Sequence, residues 1–477
     1  MPARRPILQY LILVGVPLLG VAGVLELGAG LTAPVPAISS SQTVLRTDAA
    51  PALALNLVTL LLQVATIVIA ARLVGVLFQH IGQPQVMGET VAGIMLGPSL
   101  LGWVAPGLYH ALFPAASLSY LGALSQVGLL LFMFLVGLEF NATTIRNLGR
   151  AVVLTSHVSI SAPFLLGSLL ALYLYPRLSD QSVTFPAFAL FLGAAMSITA
   201  FPVLARILTE RRLTRTELGT LAIACAAVDD VTAWCILAYI VAFVRASHQS
   251  KPLWVTLAGV TLFGLLMIYV VRRFLRQFQV SFARNGRITE NMMAGLLLLL
   301  LLSAAMTEWL GVHLLFGAFL FGAILPRDNG FMRAVSEKLE SITLVLLLPL
   351  FFAFTGLRTS IGLVRGPAMW LDCLLIILVA VAGKLGGSTI ASRAAGVPWR
   401  NSIALGILMN TRGLMELVIL NIGLELGVIN QTLFSMMVLM ALVTTFLTTP
   451  LIELVYPARL HAFASTVPAA ARDPAVE

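Results

Sequence analysis

The chain has 477 residues, of which 59% are hydrophobic and only 10% are charged, and its mean hydropathy is +0.99. Soluble domains carry about 25% charged residues, so this composition excludes a water-soluble fold and indicates a polytopic membrane protein. The three cysteines lie in apolar runs without the spacing of metal ligands, and neither a disulfide framework nor a zinc site is expected.

Hydrophobic runs of about 20 residues, the length that crosses a bilayer as a helix, recur along the chain. The expected fold class is therefore an all-α polytopic membrane protein. Thirteen transmembrane spans are predicted, in chain order 53–78, 87–103, 118–138, 150–175, 184–208, 217–246, 252–272, 290–308, 310–327, 338–357, 368–392, 400–424 and 430–456.

A further apolar run at 7–25 follows two arginines, a pattern typical of a signal peptide or a signal anchor. No clear small-residue cleavage site follows this run, which favours an uncleaved extra helix while leaving cleavage open. Residues 1–52 are thus expected to form an amino-terminal segment with an extracytoplasmic loop over 26–52. Residues 53–456 then form the transmembrane domain and 457–477 a short cytoplasmic tail.

The net charge of +9 is explained by the orientation of the spans. With the amino terminus inside, 20 of the 29 basic residues fall on one side, six on the other and three within spans. Basic residues accumulate on the cytoplasmic side, so the carboxyl terminus is expected in the cytoplasm and the protein in the cell membrane, a bacterial cytoplasmic membrane being the expected setting. A nucleic-acid partner is not expected, and the longest polar connection, 273–289, leaves no room for a soluble domain.

Charged residues deep inside predicted spans are costly and mark functional sites by default. Acidic residues near span ends, such as Glu89, Glu139 and Glu308, are instead expected to reach water. Five charged residues lie near the middle of their spans: Asp229, Asp230, Lys384, Arg412 and Glu416.

The adjacent aspartates in the span 217–246 carry most of the information. Neighbouring residues on a helix point about 100° apart, so Asp229 and Asp230 are expected to face different surroundings. Lys384, the only lysine in any span, is the expected partner of one of them and would keep it ionised. The other carboxylate, in a hydrated cavity, could bind either a proton or a small cation. The alternative is a charge cluster that only holds the helices together.

Two predicted spans carry interruptions, the feature by which secondary transporters expose backbone groups at mid-depth. In 184–208, Thr199 and Pro202 lie mid-span, and proline frees backbone carbonyls. In 400–424 polar residues and a glycine interrupt the apolar run: Asn410, Thr411, Arg412 and Gly413. Each interrupted span is followed by a span with buried polar residues, as in an inverted repeat.

Several separated motifs resemble those of the monovalent cation:proton antiporters, specifically their second family. That family includes bacterial sodium/proton and potassium/proton antiporters and plant cation/proton exchangers. The resemblance covers roughly residues 55–456. Its most specific pieces are LGPSLLG at 96–102, GLLLFMFLVGLEF at 128–140, SITAFPVLARIL at 197–208, AAVDDVTAW at 226–234, HLLFGAFLFGAILPR at 313–327 and NTRGLMELVILNIG at 410–423.

The resemblance implies thirteen spans, a dimerisation domain, and a core of six helices in which two inverted repeats bring crossing broken helices together. The core helices would then lie within 150–246 and 368–456, and the protein would be a homodimer. Many potassium-efflux relatives carry a cytosolic nucleotide-binding domain. This chain lacks such a soluble domain, so nucleotide gating of that kind is not expected.

The resemblance also implies roles for individual residues. Asp230 matches the ion-binding aspartate, Asp229 its neighbour, Lys384 the lysine that pairs with that neighbour, and Thr199 the broken-helix threonine beside the site. Paired aspartates with a core lysine resemble the electrogenic members, which favours Na⁺. Oxygen ligands at a hydrated site do not strongly separate Na⁺ from K⁺, so K⁺ stays open.

The sequence therefore predicts an antiporter that exchanges Na⁺, or K⁺, for H⁺ by alternating access. Freed carbonyls near Pro202 would add cation ligands, while Arg412 and Glu416 would stabilise the second broken helix. A cation channel is the rival from another class, although the buried charges cluster at one depth. An intramembrane aspartyl protease is excluded because its two aspartates must face each other from different helices. No phosphate loop, haem ligand pair or hydrolase triad is seen, so neither a cofactor nor an enzyme is expected.

Overall fold

The structure, a computed structural model, describes residues 8–34, 57–139, 149–211, 213–214, 216–248, 253–326 and 329–456. Within these ranges every regular element is helical. In chain order the helices are α1 (Leu8–Gly28), α2 (Leu57–His80), α3 (Gln85–Leu96), α4 (Leu101–Val104), α5 (Pro106–Leu112), α6 (Ala115–Glu139), α7 (Arg150–Leu178), α8 (Phe185–Ser197), α9 (Phe201–Glu210), α10 (Glu217–His248), α11 (Trp254–Asn285), α12 (Glu290–Trp309), α13 (Leu314–Ile324), α14 (Asn329–Ile342), α15 (Leu348–Leu357), α16 (Gly366–Ala394), α17 (Trp399–Met409), α18 (Leu414–Glu425) and α19 (Gln431–Val455).

The multi-pass architecture predicted from composition is confirmed. Among the described residues, 11 helical stretches are long and apolar enough to cross a membrane, one of which runs through α8 and α9. Three predicted spans, 87–103, 310–327 and 400–424, correspond to helices that are shorter or interrupted: α3, α13 and the pair α17 and α18. The exact count of thirteen spans stays a prediction.

The apolar run near the amino terminus forms α1, which packs along α7. A Cβ atom at Gly20 would lie 2.8 Å from the side chain of Leu165, so the two helices are in close contact there. The rings of Tyr10 and His157 meet edge to face with centroids 5.7 Å apart. The predicted loop over 26–52 falls largely outside the described residues, as does the predicted tail at 457–477, and cleavage after 7–25 stays an open prediction.

Burial separates central from peripheral helices. In the stretch formed by α8 and α9, 83% of the most apolar window is buried inside the protein, against 22% for α2 and 18% for α11. Apolar side chains exposed on α2 and α11, such as Leu73 and Leu262, suit contact with lipid tails. The interrupted helix therefore lies at the centre of the molecule.

Helices α3 and α15 approach so closely that their backbones touch. A Cβ atom at Gly93 would lie 2.1 Å from the carbonyl oxygen of Ala353, and one at Gly356 would lie 2.4 Å from that of Thr90. Small residues that let backbones approach are the usual means of packing helices in membranes. This contact fixes α3 against α15.

Replacing Gly93 by alanine is expected to destabilise the protein. The added methyl group meets backbone atoms that cannot move aside, and overpacking of this kind costs about 1–3 kcal/mol. Gly264→Ala is the matched control, because nothing lies within 4 Å of a Cβ at that helical position. Thermal unfolding of the purified proteins in detergent should give a lower melting temperature for Gly93→Ala than for Gly264→Ala. Equal melting temperatures would contradict the close contact.

Candidate functional site

Two interrupted helices meet at their breaks. Helix α8 ends at Ser197 and α9 begins at Phe201, with extended backbone at Ile198 and Ala200 between them. Pro202 occupies the first turn of α9, where the amide that proline lacks would have no partner within the helix. The second break separates α17 from α18. The backbone N–H of Ala200 donates to the carbonyl of Thr411 at 3.0 Å, so the two breaks cross in direct contact.

Lys384 lies completely buried against the first break. It occupies a π-helical turn over Ala382–Gly386 in the middle of α16, and such turns occur frequently at functional sites. Its Nζ donates three hydrogen bonds, to Asp229 Oδ2 at 2.9 Å, to the carbonyl of Ser159 at 2.9 Å and to the carbonyl of Ser197 at 2.5 Å. All three hydrogens of the ammonium group are therefore used.

Asp229 receives further hydrogen bonds at the same oxygen that binds Lys384. The hydroxyl of Ser159 donates to Oδ2 at 2.6 Å, and that of Thr199, in the first break, donates at 2.9 Å. Both members of the ion pair are inaccessible to solvent. A buried charge pair is tolerable when additional hydrogen bonds satisfy it, and this one has them.

Asp230 faces different surroundings from Asp229. The backbone N–H of Phe201, at the start of α9, lies close enough to interact with its carboxylate, so this side chain is near the amino terminus of α9, which carries partial positive charge. Its Oδ1 atom is buried and has no hydrogen-bond partner among the described residues. The two aspartates therefore have different surroundings, Asp229 beside a lysine and Asp230 beside a helix terminus, while the predicted hydrated cavity around the second one stays a prediction.

Arg412 crosses from the second break to the end of α8. Its Nη1 donates to the carbonyl of Ala195 at 3.0 Å and its Nη2 to that of Met196 at 2.7 Å. Nη1 also forms a buried ion pair with Glu416 Oε2 at 3.0 Å. The guanidinium therefore joins the second break to the end of α8, a contact that sequence spacing could not indicate. The predicted support of the second broken helix by Arg412 and Glu416 stays a prediction.

The carboxyl-terminal carbonyls of α8 are consequently occupied by protein cations. Arg412 binds those of Ala195 and Met196, and Lys384 binds that of Ser197. These groups form the negative end of the helix dipole, where a mobile cation would otherwise be attracted. These three carbonyls are therefore not free to act as cation ligands, and a role for other carbonyls near Pro202 stays a prediction.

Several buried oxygens around the crossing have no protein partner. Buried polar atoms are almost always hydrogen-bonded to protein or water, so a group of such atoms is compatible with a hydrated or ion-binding site. Within the part of the chain that the structure describes, those at the crossing are Asp229 Oδ1, Asp230 Oδ1, Asn410 Oδ1 and Thr411 Oγ1.

A cavity of about 420 Å³ extends to the start of α9. It lies between α2, α3, α6, α9, α14 and α15, and Pro202, Val203 and Arg206 of α9 form one wall. Glu89 also lines this cavity and is only 4% exposed. Glu89 therefore does not lie at the open surface as expected for a span end, because the helices around α3 cover it and only the cavity gives access to it. Glu139, on the same cavity, is exposed as expected.

These features define a multi-pass membrane protein whose two interrupted helices cross beside a buried lysine and two aspartates. The sequence profile of the family described as "Sodium/hydrogen exchanger, transmembrane" matches residues 65–455. The chain belongs to this family of cation/proton antiporters.

Similar proteins include antiporters from bacteria, plants and yeast. The chain is 44% identical to the Na(+)/H(+) antiporter NhaS4 of Synechocystis sp., over 84% of this chain and 99% of that protein. It is 39% identical to Cation/H(+) antiporter 17 of Arabidopsis thaliana, over 90% of this chain and 52% of that protein. With the K(+)/H(+) antiporter 1 of Saccharomyces cerevisiae it shares 32% identity, over 83% of this chain and 46% of the yeast protein. The chain thus spans about half the length of the plant and yeast relatives.

The fold is similar to that of a solved antiporter. The sodium proton antiporter MjNhaP1 from Methanocaldococcus jannaschii matches 85% of this chain with a TM-score of 0.56, over 98% of its own length. Sequence identity to it is 15%, so this likeness concerns the fold alone.

Replacing Lys384 by methionine is expected to destabilise the protein strongly, because it leaves the Asp229 carboxylate buried without its cation. Breaking a buried pair in this way costs about 3–5 kcal/mol. Adding Asp229→Asn removes the uncompensated charge and should recover a large part of the loss. Thermal unfolding of the wild type, both single variants and the double variant measures this coupling. A double variant no more stable than Lys384→Met would rule out the ion pair as the source of the effect.

Proposed function

We propose that the protein is a secondary transporter that exchanges a cytoplasmic monovalent cation, with Na⁺ favoured, for protons by alternating access. The observation that carries the proposal is the contrast between the two adjacent aspartates. The charge of Asp229 is paired with Lys384, and its Oδ2 also accepts from Ser159 and Thr199. Asp230 forms no ion pair among the described residues, and its Oδ1 is buried without a hydrogen-bond partner. Only Asp230 is thus available to bind a proton or a cation in turn.

Competition at one carboxylate is sufficient for exchange. A proton on Asp230 neutralises the charge that would bind the cation, and a bound cation stabilises the ionised carboxylate, so each ligand displaces the other. The Asp229–Lys384 pair is proposed to break as the cation binds. The hydroxyl of Thr199, in the first break, donates a hydrogen bond to Asp229. We propose that it changes partner when the ion pair breaks and becomes a cation ligand together with Asn410 and Thr411.

Movement of the site between the two sides is proposed to involve the whole core. In this scheme the helices within 150–246 and 368–456 form two inverted repeats that move as a body against the remaining helices, which form a homodimer. The crossing contact between Ala200 and Thr411 supports a core that moves as one unit. Arg206 lies in a segment rich in basic residues, which is expected on the cytoplasmic side; the cavity beside it is therefore proposed to be the cytoplasmic entrance.

Exchange of K⁺ for H⁺ is the second candidate. The yeast relative is named a K⁺/H⁺ antiporter, and the carboxylate, amide and hydroxyl oxygens at the crossing do not strongly separate the two ions. The name of the Synechocystis relative, which matches over nearly its whole length, favours Na⁺.

Asp230→Asn is expected to abolish transport. An amide cannot exchange a proton for a cation, so addition of Na⁺ or K⁺ should no longer dissipate the ΔpH across everted membrane vesicles. Asp180→Asn is the matched control, because Asp180 is an exposed carboxylate outside the helices and its loss should leave exchange unchanged. Undiminished exchange by Asp230→Asn would overturn the assignment of the site.

Transport is expected to be electrogenic, with more protons than cations moved in each cycle. Dissipation of ΔpH in proteoliposomes with Na⁺, K⁺ and Li⁺ should then be faster when the membrane potential is clamped at zero than when it is free to develop. Identical rates under both conditions would establish electroneutral exchange, and the order of rates for the three cations gives the selectivity. Unitary currents in a planar bilayer would instead favour a channel.

A further inference from the structure

Glu89 has surroundings unlike those of the other acidic residues on the cavity. It lies on α3 with 4% of its surface exposed, whereas Glu139 on α6 and Glu340 on α14 are exposed. Gln85, one turn earlier on α3, donates a hydrogen bond to Glu89 Oε1 at 2.9 Å. Helix α3 is fixed in position by its backbone contact with α15, so the carboxylate is held at a defined place in the cavity wall.

The charges that face Glu89 come from every side of the cavity. Arg72 of α2 and Arg206 of α9 are the cations whose charges act on its carboxylate. The Nη2 atom of Arg72 is held by the carbonyl of Val345 at 2.9 Å. Helix α6 contributes Glu139, α14 contributes Ser336 and Glu340, and α15 contributes only apolar side chains. The two arginines disfavour any added positive charge here, whether a proton or a metal cation. Burial of the side chain acts in the opposite direction and favours the neutral, protonated carboxyl, whereas a bound Na⁺ or K⁺ would leave the carboxylate ionised. The chemistry of the position therefore fits a proton better than Na⁺ or K⁺.

The cavity extends from Glu89 to the first turn of α9. Pro202 forms part of its wall, and the backbone N–H of the preceding residue, Phe201, lies close enough to interact with the Asp230 carboxylate. Helix α3 itself reaches the crossing, because Val86, Met87 and Thr90 line a narrow crevice with residues of both breaks, among them Val203, Arg412 and Gly413. The helix that carries Glu89 therefore borders both the cavity and the interrupted helices.

We propose that Glu89 is a second proton-binding site, which accepts the proton that leaves Asp230 and passes it to the cytoplasm. The proton leaves the Asp230 carboxyl as the cation arrives, moves through water in the cavity and forms an O–H bond on the Glu89 carboxylate. Glu89 then releases it to bulk water and becomes ionised again. This inference rests on the proposed function and adds to it a proton path separate from the cation ligands.

Glu89→Gln tests this role because it keeps the shape and the contact with Gln85 but cannot carry a proton. General acid–base groups contribute about 10²–10⁴-fold to proton transfer, so Na⁺/H⁺ exchange in proteoliposomes should fall at least about tenfold. Exchange of radioactive Na⁺ for unlabelled Na⁺ at the same pH requires no net proton transfer and should remain within about twofold of wild type. Glu89→Asp, which restores a carboxylate, should recover Na⁺/H⁺ exchange.

Glu340→Gln is the matched control, since it removes an exposed carboxylate from the same cavity and should leave both exchange modes unchanged. Normal Na⁺/H⁺ exchange by Glu89→Gln would overturn the inference. Equal loss of both modes by a folded Glu89→Gln protein would also overturn it, because that result assigns Glu89 to packing or cation entry. If the proposed function itself is wrong, the wild type will show no coupling of cation and proton movement, which is a different outcome from those above. If the wild type prefers K⁺, the same experiments use K⁺ and its radioactive tracer in place of Na⁺.

Discussion

A single buried ammonium group, that of Lys384, joins the interrupted helix α8 to three other helices. Lys384 of α16 binds α7 through Ser159, α8 through Ser197 and α10 through Asp229. An unsatisfied ammonium in hydrocarbon surroundings is too costly to persist, so these four helices must stay together for as long as the lysine is charged. The arrangement of the site follows from this constraint, because it decides which aspartate is used for structure and which remains available.

Arg412 extends the same principle to the second break. Lysine and arginine from one half of the fold bind three successive carbonyls at the end of α8 in the other half, which removes the attraction of that helix terminus for a mobile cation. The positive terminus of α9, a few residues further along the chain, lies near Asp230. The negative carboxyl terminus of α8 and the positive amino terminus of α9 thus meet at the break. Lys384 and Arg412 compensate the first, and the Asp230 carboxylate lies at the second.

Much of this site could be predicted from the sequence because charges within apolar runs are conspicuous. The depth of Asp229, Asp230 and Lys384, the separation of the aspartates by about 100° and the two interruptions all follow from local patterns. The burial of Glu89 could not be predicted in this way, because an acidic residue near the start of an apolar span is usually at the membrane surface. Its cover comes from helices distant in sequence, just as Arg412 reaches Met196 across 216 residues of chain.

The distance in sequence between Asp229 and Lys384 also determines the order in which the site can form during synthesis. Lys384 follows Asp229 by 155 residues, which takes a ribosome about 8–30 s at 5–20 residues per second. During that interval α10 enters the membrane with its acidic pair before the lysine exists. Early insertion of this helix must therefore rely on water, protonation or the insertion machinery, and the crossing can close only after the second half of the protein has been translated.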